Sequence, residues 1–293
     1  MKASKLRTAI IFLSLAGFIC PAQSVVTSTT KQIPASSQTR EILGLKLRPE
    51  ILAIVKEIET KTRKSISARF DDQPEFQIGA SYIDEESGRA IITLDTRLED
   101  DPKKLEAVLT HELLHLRLTV NGYPSFIWSP TVRTAKGMAI DVEQSNINDL
   151  RSIIEHRVFR VDMIKFDLYR YIDLAGVTLA DARQRKGDEA GQADVINMVR
   201  AILEYADQND IAAVRKSFNT NGWQSTVKEA DDIAAIIDRT PIITPKDQET
   251  VFLRCIAKLY PVPKANWAFT LKLDPANKYY RRLILNFGRV AKK

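Results

Sequence analysis

The residues best suited to chemistry lie together at 110–117, Thr-His-Glu-Leu-Leu-His-Leu-Arg. His111 and His115 are four apart, and Glu112 directly follows the first of them. An α-helix has about 3.6 residues per turn, so positions i and i+4 project on one side and both imidazoles can reach one ion. Glu112 is displaced round the helix, beside such an ion rather than on it. Imidazoles at this spacing suit tetrahedral Zn2+. The neighbouring carboxylate can take a proton from a water acidified by the metal and hand it to a leaving group.

Two histidines at helical spacing also occur on ordinary solvated helix faces. Two observations weigh against that reading. The chain has only three histidines in 293 residues, and two of them are in this motif. Glu112 also falls on the stripe formed by Leu105, Val108, Leu109 and Leu116, where a carboxylate is costly unless it is paired or employed.

A tetrahedral site needs a further ligand. The segment 148–162 offers Glu155 and His156, 40 and 41 residues after His115. His156 is favoured because it is the one histidine outside the motif. Glu155 is the alternative, and Glu143 is a further acid in range. Whichever of Glu155 and His156 does not bind the metal can orient a ligating histidine through its other ring nitrogen. Leu150, Ile153, Ile154, Val158 and Val161 mark the expected apolar face here, with Glu155 and His156 on opposite flanks. Arg157 points into that face and would need a carboxylate partner there. Tyr123, Arg151, Tyr169 and Tyr171 are the nearest donors for a developing oxyanion, though each fits a structural role more readily.

The elements that must position these groups can be read from periodicity and punctuation. Residues 49–63 space Ile51, Leu52, Val55 and Ile58 as a helix does. Residues 76–83 and 90–94 read as two short strands joined by a charged turn. Asp101 followed by Pro102 is a helix start, and Asn121-Gly122 is a helix stop, so the motif lies on a helix. Residues 121–137 read as a loop over or beside the site. A long helical pattern follows over 138–171, with a break expected near 145–148. Amphipathic helices are expected at 196–205, 211–217 and 230–237, and a late strand at 267–273. Together these predict an α+β fold with a small sheet packed on the active-site helix and a mainly helical C-terminal part.

The N-terminus has a different character. Lys2, Lys5 and Arg7 precede an apolar run over 9–19, then Pro21, Ala22 and Ser24, the pattern of a secretory signal peptide. Bulky Phe18 and Ile19 argue against lipoprotein anchoring through Cys20. Residues 1–24 carry three basic residues and no acid, so their removal lowers the net charge from +6 to +3. That balance does not point to nucleic acid. Basic residues gather at the end, Lys278, Arg281, Arg282, Arg289, Lys292 and Lys293. They read as a solvated tail, with weak contact to an acidic or membrane surface as a second reading. Cys255 lies in an apolar stretch and reads as packed rather than reactive.

The sequence Val-Leu-Thr-His-Glu-Leu-Leu-His-Leu at 108–116 resembles the active-site helix of the zincin metallopeptidases. Their pattern has a β-branched residue, two more residues, His-Glu, two uncharged residues, His, and an uncharged residue. Val108 through Leu116 match it, and Arg117 departs where an apolar residue is usual. The resemblance covers roughly residues 50–170. It implies a zincin-like fold and a zinc-dependent hydrolase acting on peptide or protein, with Glu112 as general base. The extended form, with a third histidine six residues after the second, is absent. In the form whose third ligand is a glutamate, an acid normally follows that glutamate by four residues; here Phe159 stands there. The expected organisation is a signal peptide over 1–24, a flexible linker over 25–45, a metal-binding catalytic domain over 46–180 and a mainly helical region over 181–293. The implied location is periplasmic or secreted. A zincin-like protein of the cell envelope that binds metal or a partner without turnover is the alternative.

Overall fold

In a computed structural model the chain is described over residues 40–74, 77–128, 142–172, 175–205, 207–261 and 267–289. The signal-peptide reading, most of the linker and much of the expected loop lie outside the described residues. The fold is α+β, with small mixed sheets packed against helices and a largely helical C-terminal half.

The first region opens with a two-residue pairing of β1 (Glu41–Ile42) with β2 (Leu45–Lys46), then α1 (Pro49–Thr62). Strands β3 (Ser67–Asp71), β4 (Gly79–Ile83) and β5 (Ala90–Asp95) form a sheet in the order β3-β5-β4. β5 runs parallel to β3 and antiparallel to β4. Helix α2 (Pro102–Val120) packs against this sheet and α1. It starts as the sequence predicts: the Asp101 side chain accepts from the Lys104 amide at 3.0 Å and Pro102 occupies the first turn. At its end Gly122, at φ 84°, lets the chain turn back so that the Tyr123 amide donates to the Leu118 carbonyl.

The second region contains β6 (Ser125–Trp128), α3 (Gln144–Lys165), α4 (Ala175–Gln184), α5 (Gln192–Glu204), α6 (Gln208–Thr220), α7 (Gln224–Arg239), α8 (Pro245–Leu259), β7 (Trp267–Leu273) and β8 (Arg282–Arg289). Its sheet has the order β6-β8-β7, with β8 parallel to β6 and antiparallel to β7.

Several expectations are corrected here. The expected loop contains a strand, because Phe126 inserts into the second core and stacks on Phe252, with ring centroids 3.7 Å apart. Helix α3 has no break at 145–148 and runs on from Gln144. The described part of the basic tail is built into the fold, and Lys292 and Lys293 lie outside the described residues. Arg282 begins β8 and pairs with Asp274 and Glu85, and Arg281 pairs with Glu249. The strand forms because Leu283, Leu285 and Phe287 alternate into the core.

Two hydrophobic cores result. One gathers α1, α2, β4, β5 and the second half of α3; the other gathers β6, the first half of α3 and the C-terminal elements. Helix α3 therefore serves both. Ile147, Leu150, Ile153 and Ile154 face the second core, whereas Phe159 and Met163 face the first. The buried stripe steps round the helix between them, at His156. That step corrects the expected apolar face, since Val161 is 68% exposed. Arg157 likewise lies at the surface, paired with Asp238 at 3.0 Å.

Candidate metal centre

Helix α2 delivers His111 and His115 to the seam between the two cores, and α3 delivers His156 from the other side. His115 Nε2 lies 3.1 Å from His111 Nε2 and 3.1 Å from His156 Nε2. One ring nitrogen from each of the three falls within 4.8 Å of the others, so the group can hold a metal ion. Zinc–nitrogen bonds of about 2.0–2.1 Å at tetrahedral angles need ligands roughly 3.3 Å apart. The two 3.1 Å separations from His115 fit that spacing. Phe159 touches all three imidazoles edge-on, with centroids 4.9–5.4 Å away. The position where an acid would stand in the glutamate-ligand form therefore supplies an apolar wall instead.

The outer ring nitrogens are held by carboxylates. His115 Nδ1 donates to Glu155 Oε2 at 2.6 Å, and His156 Nδ1 donates to Glu204 Oε1 at 2.6 Å. These bonds put the protons on Nδ1 and leave the Nε2 lone pairs facing inward. Glu155 is thus placed behind His115 and away from the converging nitrogens, while His156 stands among them. Glu155 also takes Arg151 Nε at 3.0 Å and Gln248 Nε2 at 3.3 Å. Behind Glu204 stands Arg200, which pairs with Asp149 at 3.1 Å.

The protonation pattern suits ligation. Burial holds the His111 imidazole well below its ordinary pKa, with His156 and His115 adding to the effect. Burial also lowers His156, against the pull of Glu204. Burial acts to raise Glu155 and Glu204, but the adjacent cations and histidines outweigh it and both carboxyls lie low. The centre therefore favours neutral His111 and His156 and ionised carboxylates behind the ring nitrogens, which raise ligand basicity.

Glu112 is buried beside this cluster. Ser81 Oγ on β4 donates to its Oε2 at 2.7 Å, and burial raises its pKa while His115 and Ser81 oppose the rise. Gly79 makes the approach possible: a Cβ there would lie 2.9 Å from Val108 Cγ1 and 3.1 Å from Glu112 Oε1. Arg117, the departure from the zincin pattern, pairs with Asp162 and ties α2 to α3.

The structure brings His111, Glu112, His115, Glu155 and His156 together. It leaves Glu143 at the start of α3, next to Ser145. The expected oxyanion donors are otherwise engaged: the Tyr123 hydroxyl donates to the Ile243 carbonyl at 2.9 Å, Arg151 holds Glu155, and the Tyr169 hydroxyl donates to the Glu204 carbonyl. Tyr171 lies in a short 3-10 turn beneath Arg170. Sequence reasoning missed Ser81, Glu204 and Ser152, whose Oγ lies 3.1 Å from His156 Nε2. Only Ser152 carried a local signal, one helical turn before His156.

No family model matches the chain, and no curated protein or solved structure shows significant similarity to it.

Proposed function

We propose that this protein is a zinc-dependent hydrolase acting on peptide bonds, with His111, His115 and His156 as ligands and Glu112 as general base. The observation that carries the reading is the convergence of three Nε2 atoms beside a buried carboxylate. Zinc in such a site acidifies water and polarises a carbonyl. Glu155 and Glu204 hold two imidazoles in the ligating tautomer. Ser81 occupies Glu112 Oε2, and Oε1, which has no hydrogen-bond partner among the described residues, takes the proton from the attacking water and returns it to the departing amide nitrogen. The carboxyl's raised pKa suits that exchange. Strand β4 supports a peptide substrate. It is an edge strand of its sheet, it carries Ser81, and an extended chain can add to such an edge.

Export belongs to the same proposal and rests on the signal-peptide pattern of residues 1–24. Among the described residues no helix is long and apolar enough to cross a membrane.

The test is metal analysis joined to one substitution. Protein purified without chelator is expected to hold about one zinc per chain. Glu112→Gln keeps the zinc and loses peptide hydrolysis by about 100-fold or more. Absence of zinc sinks the reading.

Ser152 favours a second reading, a metal-binding protein without turnover. Its hydroxyl lies 3.1 Å from His156 Nε2, near enough to be tested as a fourth ligand, and a site closed by four protein ligands is structural. In cobalt-substituted protein, a Ser152→Ala change that alters the visible spectrum would support this reading, and an unaltered spectrum would remove it.

A further inference from the structure

A cleft opens directly from the imidazole cluster. His111, His156 and Glu204 line its polar side, and Ile153, Met163, Ile172 and Leu203 are among its apolar walls. Counting the solvent at its open side, it takes in about 600 Å³. Two cations also line it, and they differ. Arg157 is exposed and already paired with Asp238. Arg160 is half-buried and has no carboxylate within 4.0 Å among the described residues. Its Nη1 donates to the Leu203 carbonyl at 2.6 Å, and its guanidinium lies over the Tyr169 ring, 4.7 Å from the centroid.

A half-buried guanidinium with no carboxylate partner among the described residues, fixed by one carbonyl and one ring, retains donors for a planar anion. Its position gives those donors a use. Arg160 follows His156 by one helical turn, so the two side chains rise from neighbouring points on α3, about 5–6 Å apart at Cβ. A peptide carbonyl at the imidazoles would bring a carboxylate one or two residues along the chain, at about 3.5 Å per residue, within reach of the guanidinium. The apolar walls would take the side chain between them.

We propose that Arg160 is a specificity-determining residue which binds a substrate carboxylate, and that the cleft accepts an apolar side chain next to that carboxylate. This rests on the hydrolase reading for its biological meaning, but its test does not need turnover. The carboxylate is either a chain terminus or an acidic side chain, and both offer the same planar pair of oxygens.

The experiment measures binding by calorimetry to the full chain, both zinc-loaded and chelator-treated. The first probe pair is N-acetylphenylalanine and its amide. The second is N-acetyl-Phe-Asp-amide and its Asn counterpart. In at least one pair the acid is expected to bind about ten-fold tighter, in both metal states. Arg160→Gln should bring acid and neutral partner to within about two-fold. The pair that shows this names the source of the carboxylate. Equal affinities in both pairs overturn the proposal, as does a preference that survives Arg160→Gln. A preference present only in zinc-loaded protein also overturns it, because the carboxylate then rests on the ion. If the glutamine variant fails to fold, Arg160→Lys replaces it. Loss of the paired fork contact should then cut the preference about three-fold, and an unchanged preference counts against the proposal. Absence of zinc binding would defeat the hydrolase reading alone, because the chelator-treated comparison still stands.

Discussion

The two three-stranded sheets share one plan. In each, the last strand in sequence takes the centre, parallel to the first strand and antiparallel to the second. They differ in how far the chain travels to close them. The first sheet is complete within residues 67–95 and receives α2 directly afterwards. The second begins at Ser125 and waits for β8 at Arg282, with helices α3 to α8 in between. The same strand order thus costs about 2 kcal/mol more loop-closure entropy in the second region, which can recover it from a larger core. The histidine cluster lies between the two, with two imidazoles from the first region's helix and one from the helix they share.

The largest test of this contrast is core truncation on each side. Ile92→Ala at the centre of the first sheet and Leu285→Ala at the centre of the second should each cost about 2–5 kcal/mol. Denaturant unfolding followed by circular dichroism should show a single transition for both variants, because α3 belongs to both cores. Two separated transitions for Leu285→Ala would show that the first region stands alone.

Next in size is the carboxylate from the far region. Glu204→Gln should weaken zinc binding about 10–100-fold in a chelator competition, through loss of the hold on His156. Glu155→Gln should act at least as strongly, since it also strands Arg151. Equal affinity of Glu204→Gln and the parent protein would show that the second region does not tune the cluster.

Arg117→Ala removes the tie between α2 and α3. The pair is about a quarter to a third exposed, so solvent screening limits the loss to about 1 kcal/mol or less in the unfolding midpoint. A larger loss would make this ion pair a principal link between the regions.

The smallest effect concerns Cys255, buried in the second core with its thiol pushed up to about 12. In a Cys20→Ser background, a thiol reagent at pH 8 should leave native protein unlabelled and label it fully in denaturant. Rapid labelling without denaturant would show that the second core opens under native conditions.

Much of the first region was readable from local signals. Asp101-Pro102 and the stripe ending at Leu116 defined α2, and the short β-branched runs defined β4 and β5. Scarcity of histidine pointed to His156, which the fold brings to the cluster. What escaped depends on partners far apart in sequence. Ser81 meets Glu112 across 31 residues and Glu204 meets His156 across 48, and neither pairing leaves a periodic trace. Val161 misled because a helix facing one core keeps one apolar stripe, whereas α3 changes cores halfway along. The alternation of Leu283, Leu285 and Phe287 was present in the sequence, but the arginines around it suggested a solvated tail.

Because α3 is shared, the cluster also has an order of assembly in time. A chain made only as far as residue 120 holds two of the three imidazoles. His156 arrives later, and Glu204, which fixes its ring, later still. The centre with His156 held by Glu204 therefore cannot form before synthesis has passed the end of α5. The strand that closes the second sheet is Arg282–Arg289, so a product cut before it carries the His-Glu motif without the architecture that completes it.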